Sequence, residues 1–211
     1  MANEKRLVVN RQNRMIALLL LGLALWTPFG GARGQDAIMD KPEFNRFIID
    51  ARAYMNQDKM PEAVKALESA KKWAEDHEDN QALIDTHNMF ARVYLEMEDL
   101  AKAEYHFDQA RFMLEDTAYR KGQAWNLLIE AQKAILVDST GLAYGALDDV
   151  KTAKKTNNNR NLLNRAALLE GRIFELINRP DSAIVRYNAL REGNGDPFEK
   201  DYLRAGAHLS L

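Results

Sequence analysis

The chain has no cysteine among its 211 residues. Disulfides are therefore excluded, and so is the lipid-bearing cysteine that anchors bacterial lipoproteins, so packing alone must hold the fold. Charge of one sign is also lacking. The formal net charge of −2 is not the basic footprint of a nucleic-acid binder. No phosphate-cradling glycine loop, Walker motif or GxSxG elbow occurs. The four histidines, His77, His87, His106 and His208, form no HExxH and no pair at the sequence spacing of metal ligands. His77 reads as solvated in an acidic stretch, and His87 as a partly buried packing residue. Acidic pairs such as Asp148 and Asp149 read as solvated helix faces, because a paired-carboxylate site needs a cleft that raises pKa values. The composition points away from an enzyme, and no cofactor or metal site is expected.

Long apolar runs are scarce too. The longest, residues 15–26, is interrupted only by Gly22 and is short of the about 20 apolar residues a spanning helix needs. Lys5, Arg6, Arg11 and Arg14 precede it, and Pro28, Gly30, Gly31 and the Ala32-Arg33-Gly34 exit follow. That order is expected of a secretory signal peptide over residues 1–34, cut after Gly34. The alternative is an uncleaved inner-membrane anchor with the body facing the periplasm. Either way the body is expected to be exported, periplasmic or secreted, and to meet a membrane only through this segment.

What the chain does hold is a repeated helical pattern. Pro42 suits the first turn of a helix, where a missing N–H is harmless. Phe44, Phe47, Ile48, Ala51, Tyr54 and Met55 then recur at spacings of three and four, one apolar helix face. Residues 56–59 break it. Pro61 opens a second helix carrying Ala63, Val64, Leu67, Ala70 and Trp73. Forty residues on, Ala51, Tyr54, Ala63, Leu67 and Ala70 become Ala91, Tyr94, Ala103, Phe107 and Ala110. Two further steps give Ala131, Ala134, Ala143, Leu147 and Val150, then Gly171, Phe174, Ala183, Tyr187 and Leu190. Antiparallel helices approach to 8–10 Å only where small residues face large ones. The small residues are therefore notches, and Tyr54, Tyr94, Phe107 and Tyr187 are core. A lone hairpin cannot bury both faces, so the tiles must stack.

In these residues the chain resembles the tetratricopeptide repeat, whose first helix has a small residue with an aromatic three later and whose second has Ala-x3-aromatic-x2-Ala. The second tile fits best, and the third is weakest at Ala134 and Val150. The period of forty departs from the usual 34, and Asp50, Glu130 and Glu170 stand where the family has an apolar residue. HEAT and armadillo arrays share the longer period but not the small-residue pattern. The resemblance implies an all-α fold, a right-handed superhelical solenoid of antiparallel hairpins. Its tiles are expected at residues 42–80, 81–121, 122–160 and 161–196. A terminal helix at 197–211 would be either a cap or the start of a fifth tile. Joints between tiles are expected at 115–123, 156–160 and 193–197.

The resemblance also implies that first helices line a concave groove. The position after each small residue holds Arg52, Arg92, Gln132 and Arg172. One turn earlier come Ile48, Asn88, Leu128 and Leu168, with Trp125 a turn before Leu128. Guanidinium forks bind carboxylates at two points. The site expected to bind a partner is therefore Arg52, Asn88, Arg92, Trp125, Gln132 and Arg172, and the partner a protein or peptide, acidic in character. The alternative for Arg92 and Arg172 is pairing with Glu96 and Glu175 on their own helices. The expected function is a non-catalytic interaction module, such as the sensor part of a larger bacterial regulator. An envelope-assembly or nutrient-uptake factor is the second class, and an enzyme on a helical scaffold the third.

Overall fold

A computed structural model describes residues 41–154 and 160–192. The expected signal peptide, the 156–160 and 193–197 joints in whole or part, and the terminal helix lie outside the described residues. Eight helices run in order: α1 Pro42–Asn56, α2 Met60–Asp76, α3 Asn80–Glu96, α4 Leu100–Glu115, α5 Arg120–Leu136, α6 Thr140–Lys154, α7 Arg160–Leu176 and α8 Pro180–Glu192. The fold is all-α, and no strand occurs among the described residues.

Each odd helix packs most closely on the even helix that follows it, giving four hairpins. α3, α5 and α7 also pack on one another in succession. The predicted notches are where the helices meet. Ala51, Ala63, Ala91, Ala103, Ala131, Ala143 and Ala183 are all sealed from solvent, as are Leu67, Phe107, Leu147 and Tyr187 opposite them. Tyr54 and Tyr94 are only half-buried at the core's edge. The first three hairpins do not close their cores alone. Ala51, Met55, Ala63 and Leu67 of the first are completed by Phe90 and Val93 of α3. Those of the third are completed by Leu162, Leu169 and Ile173 of α7. Stacking is thus a hydrophobic requirement, since each face removed from water contributes about 25 cal/mol per Å².

The turns inside the hairpins share one geometry. Asp58, Glu98, Asp138 and Asn178, again forty apart, have φ of 58°, 59°, 53° and 55°. In each case two amides turn back onto the helix end: Asp58 N–H to Met55 O and Lys59 N–H to Tyr54 O in the first, Asn178 to Glu175 and Arg179 to Phe174 in the last. These are Schellman closures, which satisfy the last carbonyls through one left-handed residue. The α2–α3 joint repeats it at Glu78, φ 50°. Asp79 and Asp99 then cap α3 and α4, accepting from the amides of Ala82 at 3.0 Å and Lys102 at 3.1 Å. Left-handed backbone suits glycine, is tolerated by Asp and Asn, and strains Glu by about 1–2 kcal/mol. Glu98→Gly should therefore stabilise the array by about 0.5–1 kcal/mol after the entropy of glycine is subtracted, and Asn178→Gly by less. Urea midpoints of the two variants test that order.

One joint differs from expectation. Residues 115–123 read as a long connection, yet α5 already starts at Arg120. Tyr119 is the cause. It is buried against Ile84 and Leu114, and its hydroxyl donates to Asp85 at 2.9 Å. Gly122 makes room for it, because a Cβ there would lie 2.6 Å from the ring.

Candidate functional site

A cleft of about 420 Å³ opens on the side where the odd helices line up. Ligand sites typically measure 300–1,000 Å³ and pair apolar walls with a few placed polar groups. Here Ile48, Ile49, Met89, Ile129 and Trp125 form the apolar walls. Asn45, Asn88 and Asn161 bring amides, and Arg52, Arg92 and Lys121 bring three cations against the one carboxylate of Asp85. All four odd helices contribute, so the cleft exists only in the assembled array.

The structure brings four of the six sequence-predicted residues together in this cleft: Arg52, Asn88, Arg92 and Trp125. Their roles within it differ. Arg52 and Trp125 are half-buried walls, and the covered side of Trp125 packs on the core of the third and fourth hairpins. Arg92, at 6% exposure, belongs to the floor. Asn88 is also floor, and its side chain is already engaged. Its amide donates to Gly122 O at 3.1 Å, and its oxygen accepts from Asn126, which also donates to Phe107 O. Lys121 and Asp85 were not predicted. They pair at 2.6 Å on the rim, with Tyr119 as the second donor to the carboxylate.

Gln132 and Arg172 do not line the cleft. Gln132 is 3% exposed and belongs to a buried polar network. Its amide donates to Glu96 Oε1 at 3.0 Å, and its oxygen accepts from Arg165 Nη2 at 2.7 Å. Arg165, 1% exposed, also meets Glu96 Oε1 at 2.9 Å. The expected row of groove side chains is interrupted at the third hairpin because Arg165 of α7 covers Gln132. Leu128 and Leu168, expected beside the groove, are sealed in the core. Glu96, the alternative partner for Arg92 on its own helix, bridges to α5 and α7.

Sequence reasoning missed Arg165, although a signal existed. It lies three after Leu162 and four before Leu169, on an otherwise apolar stripe. It also missed a histidine pair. His87 Nδ1 and His106 Nδ1 lie 2.9 Å apart between α3 and α4. The two stand at mirror positions about the hairpin turn, His87 four before Ala91 and His106 three after Ala103. Burial pushes the His87 imidazole down to about 4, with Lys71 adding to it. His106 is lowered to about 4 by burial first, then by His87 and Lys71. Glu170, one of the polar departures from the repeat pattern, is buried and held by Lys151 and Arg186.

Among the described residues no group of three or more His, Asp or Glu side chains converges as a metal-binding set, and no helix is long and apolar enough to cross a membrane. No protein-family model, no curated protein and no solved structure matches this chain.

Proposed function

We propose that the protein is a non-catalytic interaction module of the tetratricopeptide type. It takes an extended peptide or protein segment in the cleft of the odd helices. The observation that carries this reading is the composition of the cleft: five apolar walls beside three cations and one carboxylate, drawn from three hairpins, with the Asn161 amide added by the fourth. Such a surface favours a segment with a bulky apolar side chain next to acidic ones. The apolar group would lie against Trp125, Ile49 and Ile129, and a carboxylate would meet Arg52 across the cleft. Large aromatic and arginine side chains are the residue types that dominate binding energy at protein interfaces. Export of the body by the N-terminal segment belongs to the same reading and rests on the sequence pattern alone.

A randomised peptide library tests it, with a photo-crosslinker placed at Ile49, which is half-exposed on the rim. Peptides pairing an apolar residue with Asp or Glu should be selected over the same library with Asn and Gln. Arg52→Glu and Trp125→Ala should each weaken a selected peptide about tenfold or more, in line with hot-spot losses of about 2 kcal/mol. Arg172→Glu, outside the cleft, should leave binding unchanged. If acidic and amide libraries crosslink equally, the charge argument is wrong. If neither is selected, the cleft is not a peptide site.

A further inference from the structure

The His87–His106 pair has no part in the cleft, and its geometry gives it a different role. Two imidazoles that meet Nδ1 to Nδ1 can share only one hydrogen, so one ring donates and the other accepts. The 2.9 Å separation is that of a formed hydrogen bond. Around it the rings are packed in register. His106 stacks on Phe90 at 4.4 Å and on Tyr94 at 5.6 Å between centroids, and Tyr105 meets it edge-on. His87 is buried, while His106 is half-exposed and open to protons from solvent. The pair therefore ties α3 to α4 across the second hairpin, which shares apolar core with both its neighbours.

We infer that this pair is an acid-operated latch: proton uptake by His87 and His106 parts α4 from α3 and dismantles the second hairpin, together with the cleft floor that α3 supplies. The first proton can land on the outer Nε2 of the donating ring and leave the bond intact. The second must land on the accepting Nδ1. Two N–H donors and two positive charges then face each other at hydrogen-bond distance. The charged groups around the pair come from α2, where Lys71 opposes protonation of both rings and Glu75 favours that of His87. Lys71 and Glu75 also pair with each other at 3.2 Å, which mutes both. Tyr94 on α3 and Tyr105 on α4 supply aromatic faces and no acidic group. Loss of the α3–α4 contact would also strand the Asn126 bonds to Asn88 and Phe107 O, and it would free Asn88, Met89 and Arg92 from their places in the cleft.

The sign follows from the folded rings being harder to protonate than free ones. Both are held near 4 in the fold against an ordinary 6.5. The unfolded hairpin takes up protons as pH drops below 6.5, and the folded one does not until about 4. Stability from the pair is thus complete above about 6.5 and is lost as pH falls from there through about 4. With two protons linked, the unfolding constant rises by up to about a hundredfold per pH unit inside that window.

The latch does not depend on the cleft having a ligand, so it is tested on the full chain alone. Urea midpoints are measured at pH 7.5 and pH 5.0 by far-UV circular dichroism and tryptophan fluorescence. The wild type should lose most of its midpoint on acidification, and His87→Leu/His106→Phe should lose far less. Should that double variant fail to fold, proton NMR of the wild-type histidine rings replaces it, with His87 and His106 assigned through the single variants His87→Gln and His106→Gln. Both rings should stay neutral to below pH 5 and then titrate together with loss of the hairpin's amide dispersion. Parallel acid losses in wild type and double variant would overturn the latch. So would two rings that titrate near 6.5 with the fold intact.

Discussion

Arg165→Ala should lower the stability of the array by about 3–5 kcal/mol, the range for removing one partner of a buried ion pair. Arg165 is the largest fully buried side chain among the described residues. It reaches Glu96 at 2.9 Å and Gln132 at 2.7 Å. Its loss takes a cation away from the Glu96 carboxylate, to which the Gln132 amide still donates, and it opens a guanidinium-sized void. The effect should reach beyond a single tile. Glu96 ends α3, Gln132 sits in α5 and Arg165 in α7, so one network ties three hairpins together. In a stacked array, cooperativity depends on such nearest-neighbour terms. The variant should therefore unfold over a broader urea range, or in two steps, with the fourth hairpin leaving first. Replacing the whole network by Glu96→Leu, Gln132→Met and Arg165→Met should restore most of the stability, because packed apolar groups often match or exceed a buried ion pair. A shift under about 1 kcal/mol for Arg165→Ala, with an unbroadened transition, would show that the network contributes little to coupling.

The same network marks where the sequence stops being legible. The period of forty could be read because its causes are local. A notch of Ala or Gly, a second-helix Ala with a large residue four after it, and a polar break all act within one hairpin, and the structure places each of them. The left-handed turn at Asp58 lies inside the expected break at 56–59, and Glu98, Asp138 and Asn178 repeat it at the period of forty, although no glycine announces them. The cleft was legible in part. Arg52, Asn88, Arg92 and Trp125 converge as their register predicts. Gln132 occupies the same register as Arg92 and meets a different fate, because its environment is decided by Arg165, 33 residues downstream. Residues at equal positions in a repeat share their own hairpin's geometry and not their neighbours' side chains. The His87–His106 bond likewise spans the hairpin, 19 residues apart in sequence, and a search for metal-ligand spacings along the chain passes over it. Tyr119 shortened a joint by a contact with Ile84 and Asp85 in the preceding hairpin, which is again information that arrives from another tile.

The fourth hairpin offers the second large effect. Its notch is Gly171, where the other three tiles have Ala51, Ala91 and Ala131, and its facing residue is Tyr187, where they have Leu67, Phe107 and Leu147. The larger ring is matched by the smaller notch. A Cβ at Gly171 would lie 2.2 Å from Tyr187 Cε1 and 2.6 Å from Cζ, well inside contact distance. Both partners are rigid. Gly171 is held in the middle of α7, and Tyr187 is buried at 4% exposure on α8. Gly171→Ala should therefore destabilise, although alanine is the better helix former by about 0.8–1 kcal/mol. Overpacking of this kind costs about 1–3 kcal/mol and sometimes more, so the net loss should be about 1–2 kcal/mol and confined to the fourth hairpin. Tyr187→Leu alone should also destabilise, by about 2 kcal/mol, through the void left beside the glycine. The two changes together recreate the alanine–leucine pair that the first and third tiles already use, with Ala51, Leu67, Ala131 and Leu147 all sealed. The double variant should therefore be more stable than either single one and close to the parent, with a coupling energy of about 1–3 kcal/mol between the sites. Hydrogen exchange resolves this by tile: amides of α7 and α8 should lose protection in each single variant and regain it in the double. Additive losses would mean that the glycine answers to something other than the tyrosine. Coupling at the stated size would show that this array is tuned tile by tile, by one large-to-small fit inside each hairpin, while the cleft is assembled from what those fits leave facing inward.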